Sequence, residues 1–487
     1  MNRFIARWRS GATLLSIVML AFFTVSLFLR RINGDEGIIG EWAYWLANYG
    51  QARSMLYYSY FGEKALSLPI YHKFYTILLA GFIKVFDFEP FYLRIPSLLS
   101  FAGLISLIGL YLRLKGVKMF SWYILAGFFL SQSLLFNFAF LARPELMMAL
   151  FSFATFFILR QYTQSRDWRW ALLAGLISGL SFYTHLNGLA IVVAGGIFLL
   201  FHFQWKALIS FGMSAFVMAS LFVVDIPGTY LGLLNELSQA PDVKNSSFSF
   251  GRILMKLVTE HERFFHNAGL AVFSSATILS LIFSWKQLRR NEADLLHFLL
   301  FMILSLSLLT HGKTAKYLLF YMPFMGLIVL QSINYLFLSR QLKKVIIISV
   351  LIIAGAGITI GDYLKDFTYF VPVRDRNQAM AQFMEKGTTV MAHDSFVFGQ
   401  LEQFEIRSPI IFFFKNEGFR QNGKDDSFDY LTFAAENKYD YVAVDLLLER
   451  DDLREIFSDT KFEMGYTSAG YQITHKDADF LIFKRIN

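Results

Sequence analysis

The chain has 487 residues, 55% of them hydrophobic, with a mean hydropathy of +0.45 and a formal charge of +8. That composition excludes an ordinary soluble globule and places the chain in a membrane. The absence of cysteine excludes disulfides and thiolate metal sites, and the Lys and Arg residues fall in short clusters between apolar runs, a topology signal rather than a nucleic-acid footprint.

The N-terminal stretch MNRFIARWRSGATLLSIVML has basic residues ahead of an apolar core, but no small-residue cleavage site before Arg30, and is read as a retained span. Apolar windows then recur near 92–112, 119–138, 145–159, 170–184, 188–202, 207–224, 267–284, 294–310, 318–338 and 345–361. With the first at 12–29 they make eleven spans, close to the ~20 residues that cross a bilayer core. Alternate connections carry Arg3, Arg7 and Arg9; Arg113, Lys115 and Lys118; Arg160, Arg166 and Arg169; Lys206; Lys286, Arg289 and Arg290; and Arg340, Lys343 and Lys344. The positive-inside rule makes these cytoplasmic, with the N-terminus, and puts the C-terminal region outside, in what reads as a bacterial inner or cell membrane. Arg30 and Arg31 run against this pattern, and the hairpin 170–202 is short for two spans.

The segment LSLPIYHKFYTILLAGFIKVF, 66–86, is set aside as an interfacial or re-entrant helix, because counting it as a span would reverse every later loop. The first outer loop therefore runs over 30–92. After residue 361 the composition changes: TTVMA, PIIFFF, DYVAVD and DFLIFKR read as short strands, and DDSFDYLTFAAENK as a helix. The expected architecture is a polytopic α-helical membrane domain, 1–361, followed by a small extracytoplasmic α/β domain, 362–487.

On this topology the informative polar residues collect at one membrane face. Asp35 and Glu36 open the first outer loop, Arg143 and Glu145 lie in FLARPELMMAL, His185 and Asn187 in SFYTHLNG, and Lys313, Lys316 and Tyr317 in THGKTAKYLLFYMP. Charges at membrane depth cost roughly 2.5–3.5 kcal/mol each on insertion scales, so their collection at one face points to a site. An acid that accepts a proton beside cations that hold an anion fits the mixture. Each group also has a structural reading: Asp35 as a helix N-cap, Arg143 and Glu145 as a pair at a helix start, His185 as a loop histidine, and the lysines as headgroup anchors.

Five motifs in order resemble the GT-C superfamily of integral-membrane glycosyltransferases, specifically the family 39 group of protein O-mannosyltransferases and aminoarabinose transferases. They are GDEGIIGEWAYWLANYG; LPIYHK, which keeps Pro69 and Lys73 of an HPPxxK pattern; the Arg-x-Pro-Ser entry at Arg94; ARPE; and KYLLFYMP, with Lys316 in place of Arg. The similarity covers about residues 10–340. One departure is His185, where relatives of the aminoarabinose transferase carry Lys.

The resemblance implies transfer of a sugar from a polyprenyl-phosphate donor to a glycan, lipid or protein acceptor on the outer face. Direct attack on the anomeric carbon predicts inversion, and without cysteine or a dense histidine cluster no metal or other cofactor is expected. The resemblance makes Asp35 the general base with Glu36 as the substitute, and gives Glu145 an orienting role. Lys73, Arg94, Arg143, Lys313 and Lys316 become phosphate ligands, and His185, Asn187 and Tyr317 line the substrate. A flippase or transporter of lipid-linked sugars, or a non-catalytic scaffold, is the alternative, although neither broken mid-membrane helices nor internal repeats stand out.

Overall fold

The computed structural model describes residues 2–67, 72–224, 250–310, 314–368, 370–415, 426–449, 451–458 and 462–486. The chain divides into two compact units, one of Met1–Phe28, Tyr71–Tyr75 and Arg94–Lys365, the other of Leu29–Ile70, Thr76–Leu93 and Asp366–Asn487.

The first unit is helical, as a lipid-embedded chain must be to satisfy its backbone groups internally. Among the described residues, six helices are long and apolar enough to cross a membrane: Arg3–Leu29, Pro90–Leu114, Glu145–Ser165, Trp205–Phe222, Ala268–Asn291 and Leu342–Lys365. Leu186–Phe201, Ala293–Leu309 and Met322–Leu338 are shorter apolar helices, and Trp168–Thr184 has 17 residues. The window at 119–138 is not one helix but two, Trp122–Leu130 and Ser133–Phe138. Gln132 is extended there, with ψ 117, and the Ser131 carbonyl freed by the break accepts a hydrogen bond from Thr359 Oγ1 at 3.0 Å. Such a break is tolerated where a neighbouring helix re-satisfies the backbone.

The first helix of the 170–202 hairpin packs closely on the helix that follows the hairpin. A Cβ at Gly175 would lie 2.0 Å from Ser214 Oγ, and one at Gly179 2.4 Å from the Ala215 carbonyl oxygen. This small-xxx-small face lets Trp168–Thr184 and Trp205–Val224 approach backbone to backbone.

The second unit is built on a six-stranded mixed sheet of order β2-β1-β3-β6-β5-β4. The strands are β1 (Thr389–Ala392), β2 (Glu405–Arg407), β3 (Tyr441–Asp445), β4 (Thr467–Ser468), β5 (Tyr471–Lys476) and β6 (Phe480–Arg485). β1 pairs parallel with β2 and β3, and the remaining pairs are antiparallel. β3, in the middle, is buried at all five positions, as expected of a strand covered on both faces. TTVMA, DYVAVD and DFLIFKR form strands as expected, but PIIFFF does not: Ile410–Lys415 is a helix. Its Ile411 and Phe412 enter the core with Tyr430 and Phe433 of the Asp426–Glu436 helix, so tertiary packing decided the form of an apolar run too short to declare itself.

The same unit holds most of the first loop, including the Gly34–Tyr49 helix and part of Lys73–Val85. The latter has 13 residues, about 20 Å at 1.5 Å per residue, short of the ~30 Å of a bilayer core. Arg31 also finds its explanation here, because its guanidinium donates to the carbonyls of Leu447 at 2.7 Å and Leu448 at 3.2 Å. The sheet domain holds this cation, which therefore does not act as a topology signal.

Candidate active site

Two groups of functional side chains emerge, one in each unit. In the second unit the acidic pair lies in the first turn of Gly34–Tyr49, where the helix dipole favours negative charge. The cap is Asn33, not Asp35: Asn33 Oδ1 accepts from the Asp35 backbone N at 3.0 Å, and Glu36 Oε2 accepts from the Asn33 backbone N at 3.0 Å. This capping box commits Glu36, which is fully buried, and leaves the Asp35 carboxylate half-buried and outside the cap.

The helix behind the pair is rigidly seated. Gly37 lies so close to the 393–395 turn that a Cβ would meet the Asp394 carbonyl oxygen at 2.2 Å. One turn on, buried Glu41 accepts from the backbone N of Met55 at 2.6 Å and of Leu56 at 3.3 Å, and from Trp45 Nε1 at 3.2 Å. Burial nevertheless pushes its carboxyl up to about 8. Asp394 is likewise raised by burial to about 7, and burial lowers the adjacent His393 to about 4.

In the first unit the cluster grows from the ARPE turn. Arg143 grips Glu145 with two nitrogens, Nη2 at 2.6 Å and Nε at 3.1 Å, and Lys316 Nζ approaches the same carboxylate at 3.8 Å. Glu145 is fully buried and opens its helix directly after Pro144. Ser97, from the Arg-x-Pro-Ser motif, holds the turn by donating to the Leu141 carbonyl at 2.6 Å, and pairs with the Tyr75 hydroxyl at 3.1 Å.

His185 joins from the next turn. Its Nδ1 accepts from the Asn187 backbone N at 2.9 Å, its ring stacks on His72 at 4.6 Å, and Tyr317 meets it edge-on at 6.1 Å. Burial, and then His72, hold the His185 imidazole well below its ordinary range, so the ring is neutral at pH 7. Arg143, Glu145, His185, Asn187, Lys316 and Tyr317 are thus brought together.

Other expected phosphate ligands sit differently. Lys73 Nζ donates to the Phe222 carbonyl at 2.7 Å and lies over that ring, while Arg94 is buried over the Phe140 ring at 5.7 Å. Lys313 lies outside the described residues.

The sequence reading missed Glu260 and Arg263. Arg263 is completely buried and donates to Glu260 Oε1 at 2.9 Å, Thr310 Oγ1 at 3.1 Å and the Thr314 carbonyl at 3.0 Å, with its guanidinium over the Tyr317 ring at 5.6 Å. Glu260 also accepts from Tyr321 at 3.0 Å. Arg263 therefore braces both ends of the segment that delivers Lys316 and Tyr317. The signal was two opposite charges three apart, Glu260 and Arg263, which alone reads as an ordinary helical pair. His72 lies in the 66–86 segment expected at the interface.

The sequence model described as dolichyl-phosphate-mannose-protein mannosyltransferase matches residues 74–228. Among solved structures, ArnT from Cupriavidus metallidurans in the apo state aligns with a TM-score of 0.58 at 13% identity, over 97% of this chain and 97% of that one. The same protein bound to undecaprenyl phosphate gives 0.57 at 13% identity, over 97% and 98%. No curated protein matches the chain by sequence. At such identity the likeness to ArnT is one of fold, and it extends over nearly the whole length of both chains. The chain carries the fold of ArnT, in keeping with the resemblance to the GT-C superfamily drawn from its motifs.

Proposed function

We propose that the protein transfers a sugar from a polyprenyl-phosphate carrier to an acceptor hydroxyl on the outer face of the membrane. The observation that carries this reading is the meeting of two cations, Arg143 and Lys316, on one buried carboxylate, Glu145, within a GT-C fold. Cations so placed recognise a lipid phosphate, which Arg can bind through two oxygens and Lys as a point charge. The matched family's dolichyl-phosphate donor and the ArnT complex with undecaprenyl phosphate support the same ligand class.

In the proposed step the acceptor oxygen attacks the anomeric carbon as the bond to the phosphate oxygen breaks, inverting that centre. The acceptor's proton passes to Asp35, and the carrier leaves as its phosphate. Arg143 and Lys316 neutralise the phosphate, with Glu145 orienting both, and Lys73, Arg94 and Lys313 are further phosphate ligands on the resemblance alone. His185, Asn187 and Tyr317 line the substrate. Phosphate is already a capable leaving group, so the step as drawn needs no divalent ion. The N-terminus is assigned to the cytoplasm and the sheet domain to the outer side of a bacterial inner membrane, from the basic loops.

The test is a pair of isosteric variants assayed in detergent with a polyprenyl-phosphate sugar. Asp35→Asn leaves the Asn33 cap intact, and Glu36→Gln retains the capping box, which accepts Gln at that position. Asp35→Asn should bind donor normally and lose about 10²- to 10⁴-fold in turnover, with Glu36→Gln near normal. The reverse result moves the base to Glu36. If neither variant slows transfer, the acidic pair is structural, and movement of the lipid-linked sugar without transfer would establish a transporter.

A further inference from the structure

The Leu189–Phe201 and Ala293–Leu309 helices pack together, and at the end of the pair away from His185 and Thr310 three side chains of metal-ligand type meet. His202 follows the first helix, and Asp294 and His297, three residues apart on the first turns of the second, share a face. One ligand atom from each lies within 4.8 Å of the other two, and His202 Nε2 stands 3.6 Å from Asp294 Oδ1. That distance is too long for a hydrogen bond. It is near the separation of about 3.3 Å that ligand atoms adopt around a tetrahedral ion bound at about 2.0–2.1 Å.

Two features set the cluster apart from a casual ion pair. His202 Nε2 and His297 Nδ1 are shut off from solvent without a hydrogen-bond partner among the described residues, a costly state for a ring nitrogen. The His202 turn is also fixed by a left-handed helix cap. Gln204 N bonds the Leu199 carbonyl at 3.0 Å and Phe203 N that of Leu200 at 2.9 Å, with Phe203 in the left-handed region at φ 54, where glycine is usual. The Gln204 side chain then donates to the His202 carbonyl at 2.9 Å and accepts from Tyr162 at 2.9 Å. Phe198 packs on the His202 ring and Phe201 on that of His297, each at 4.7 Å.

We propose that His202, Asp294 and His297 form a divalent transition-metal site with Zn²⁺ as its occupant, water completing the four ligands. Two imidazoles and one carboxylate suit Zn²⁺ and disfavour Mg²⁺ and Ca²⁺, which require oxygen. The ion joins the ends of two helices and is a structural clamp, independent of the sugar-transfer reading.

The full-length protein, stripped with chelator in detergent, is titrated with Co²⁺ and then Zn²⁺. The expected result is one Co²⁺ per chain with the visible absorption of a four-coordinate ion, displacement by Zn²⁺, and a rise in melting temperature on Zn²⁺ addition. Loss of an outer-sphere partner alone costs 10- to 100-fold in affinity, so Asp294→Asn and His297→Gln should each lose about 100-fold or more. The wild-type stoichiometry needs no variant to fold. Absence of bound Co²⁺ in the wild type overturns the proposal. So does an unchanged spectrum in both variants, because the ion then sits on others of the nine histidines. A spectrum abolished only by His185→Gln would place the ion on the His72–His185 stack, which equally refutes it.

Discussion

Gly37→Ala tests whether the sheet domain fixes the acidic helix. The new Cβ would lie 2.2 Å from the Asp394 carbonyl oxygen, 2.6 Å from its carbon and 3.1 Å from Ser395 N. These are backbone atoms, and ordinary contact begins at 3.4 Å, so one partner must move by more than 1 Å. The 393–398 turn resists, because buried Asn377 Nδ2 donates to the carbonyls of Ser395 at 2.7 Å and Phe398 at 3.0 Å. The helix start therefore yields, at about 1–3 kcal/mol for overpacking. Asp35 lies two residues away, and a displacement of ~1 Å at a reacting group costs about 10² in rate. Thermal melts and transfer kinetics on one preparation should thus show a lower melting temperature together with reduced turnover. Gly34→Ala is the control, since its nearest neighbour is a side-chain oxygen of Asp394 at 3.3 Å rather than backbone. If Gly37→Ala melts and turns over like wild type, the close approach is not real and the sheet domain does not position the acids.

Three further outcomes are expected. Asp394 has its folded pKa raised from 3.8 to about 7, so its contribution to stability is complete below pH ~4 and is lost as pH rises through 7. The loss is on the order of 4 kcal/mol; Asp394→Asn removes it, and a wild-type-minus-variant difference that stays flat from pH 4 to 7 excludes a protonated buried carboxyl. Arg143→Gln and Lys316→Gln should each weaken binding of a polyprenyl phosphate by about 1.5–3 kcal/mol, measured by titration, and equal affinity in both would leave them as structural partners of Glu145. Reporters fused after Lys118 and after Lys365 should read cytoplasmic and extracytoplasmic respectively; the opposite reading at Lys118 would make 66–86 a span.

What the amino-acid order determined is whatever local chemistry settles. Apolar runs of near-membrane length had to become helices, because lipid offers the backbone no partner, and the spans at 92–112, 145–159 and 267–284 appear as Pro90–Leu114, Glu145–Ser165 and Ala268–Asn291. The cap at Asn33 and Glu36 was also written locally, three residues apart. Tertiary structure decided the rest. PIIFFF became a helix because Tyr430 and Phe433 supplied a core for it, and the chain broke at Ser131 because Thr359, 228 residues away, could take the freed carbonyl. Arg263 bracing Thr310 and Thr314, and His202 meeting Asp294 and His297, are likewise contacts between residues far apart in sequence. No local pattern encodes them, because the free energy of burying a polar group depends on which partner the folded chain brings within hydrogen-bond reach.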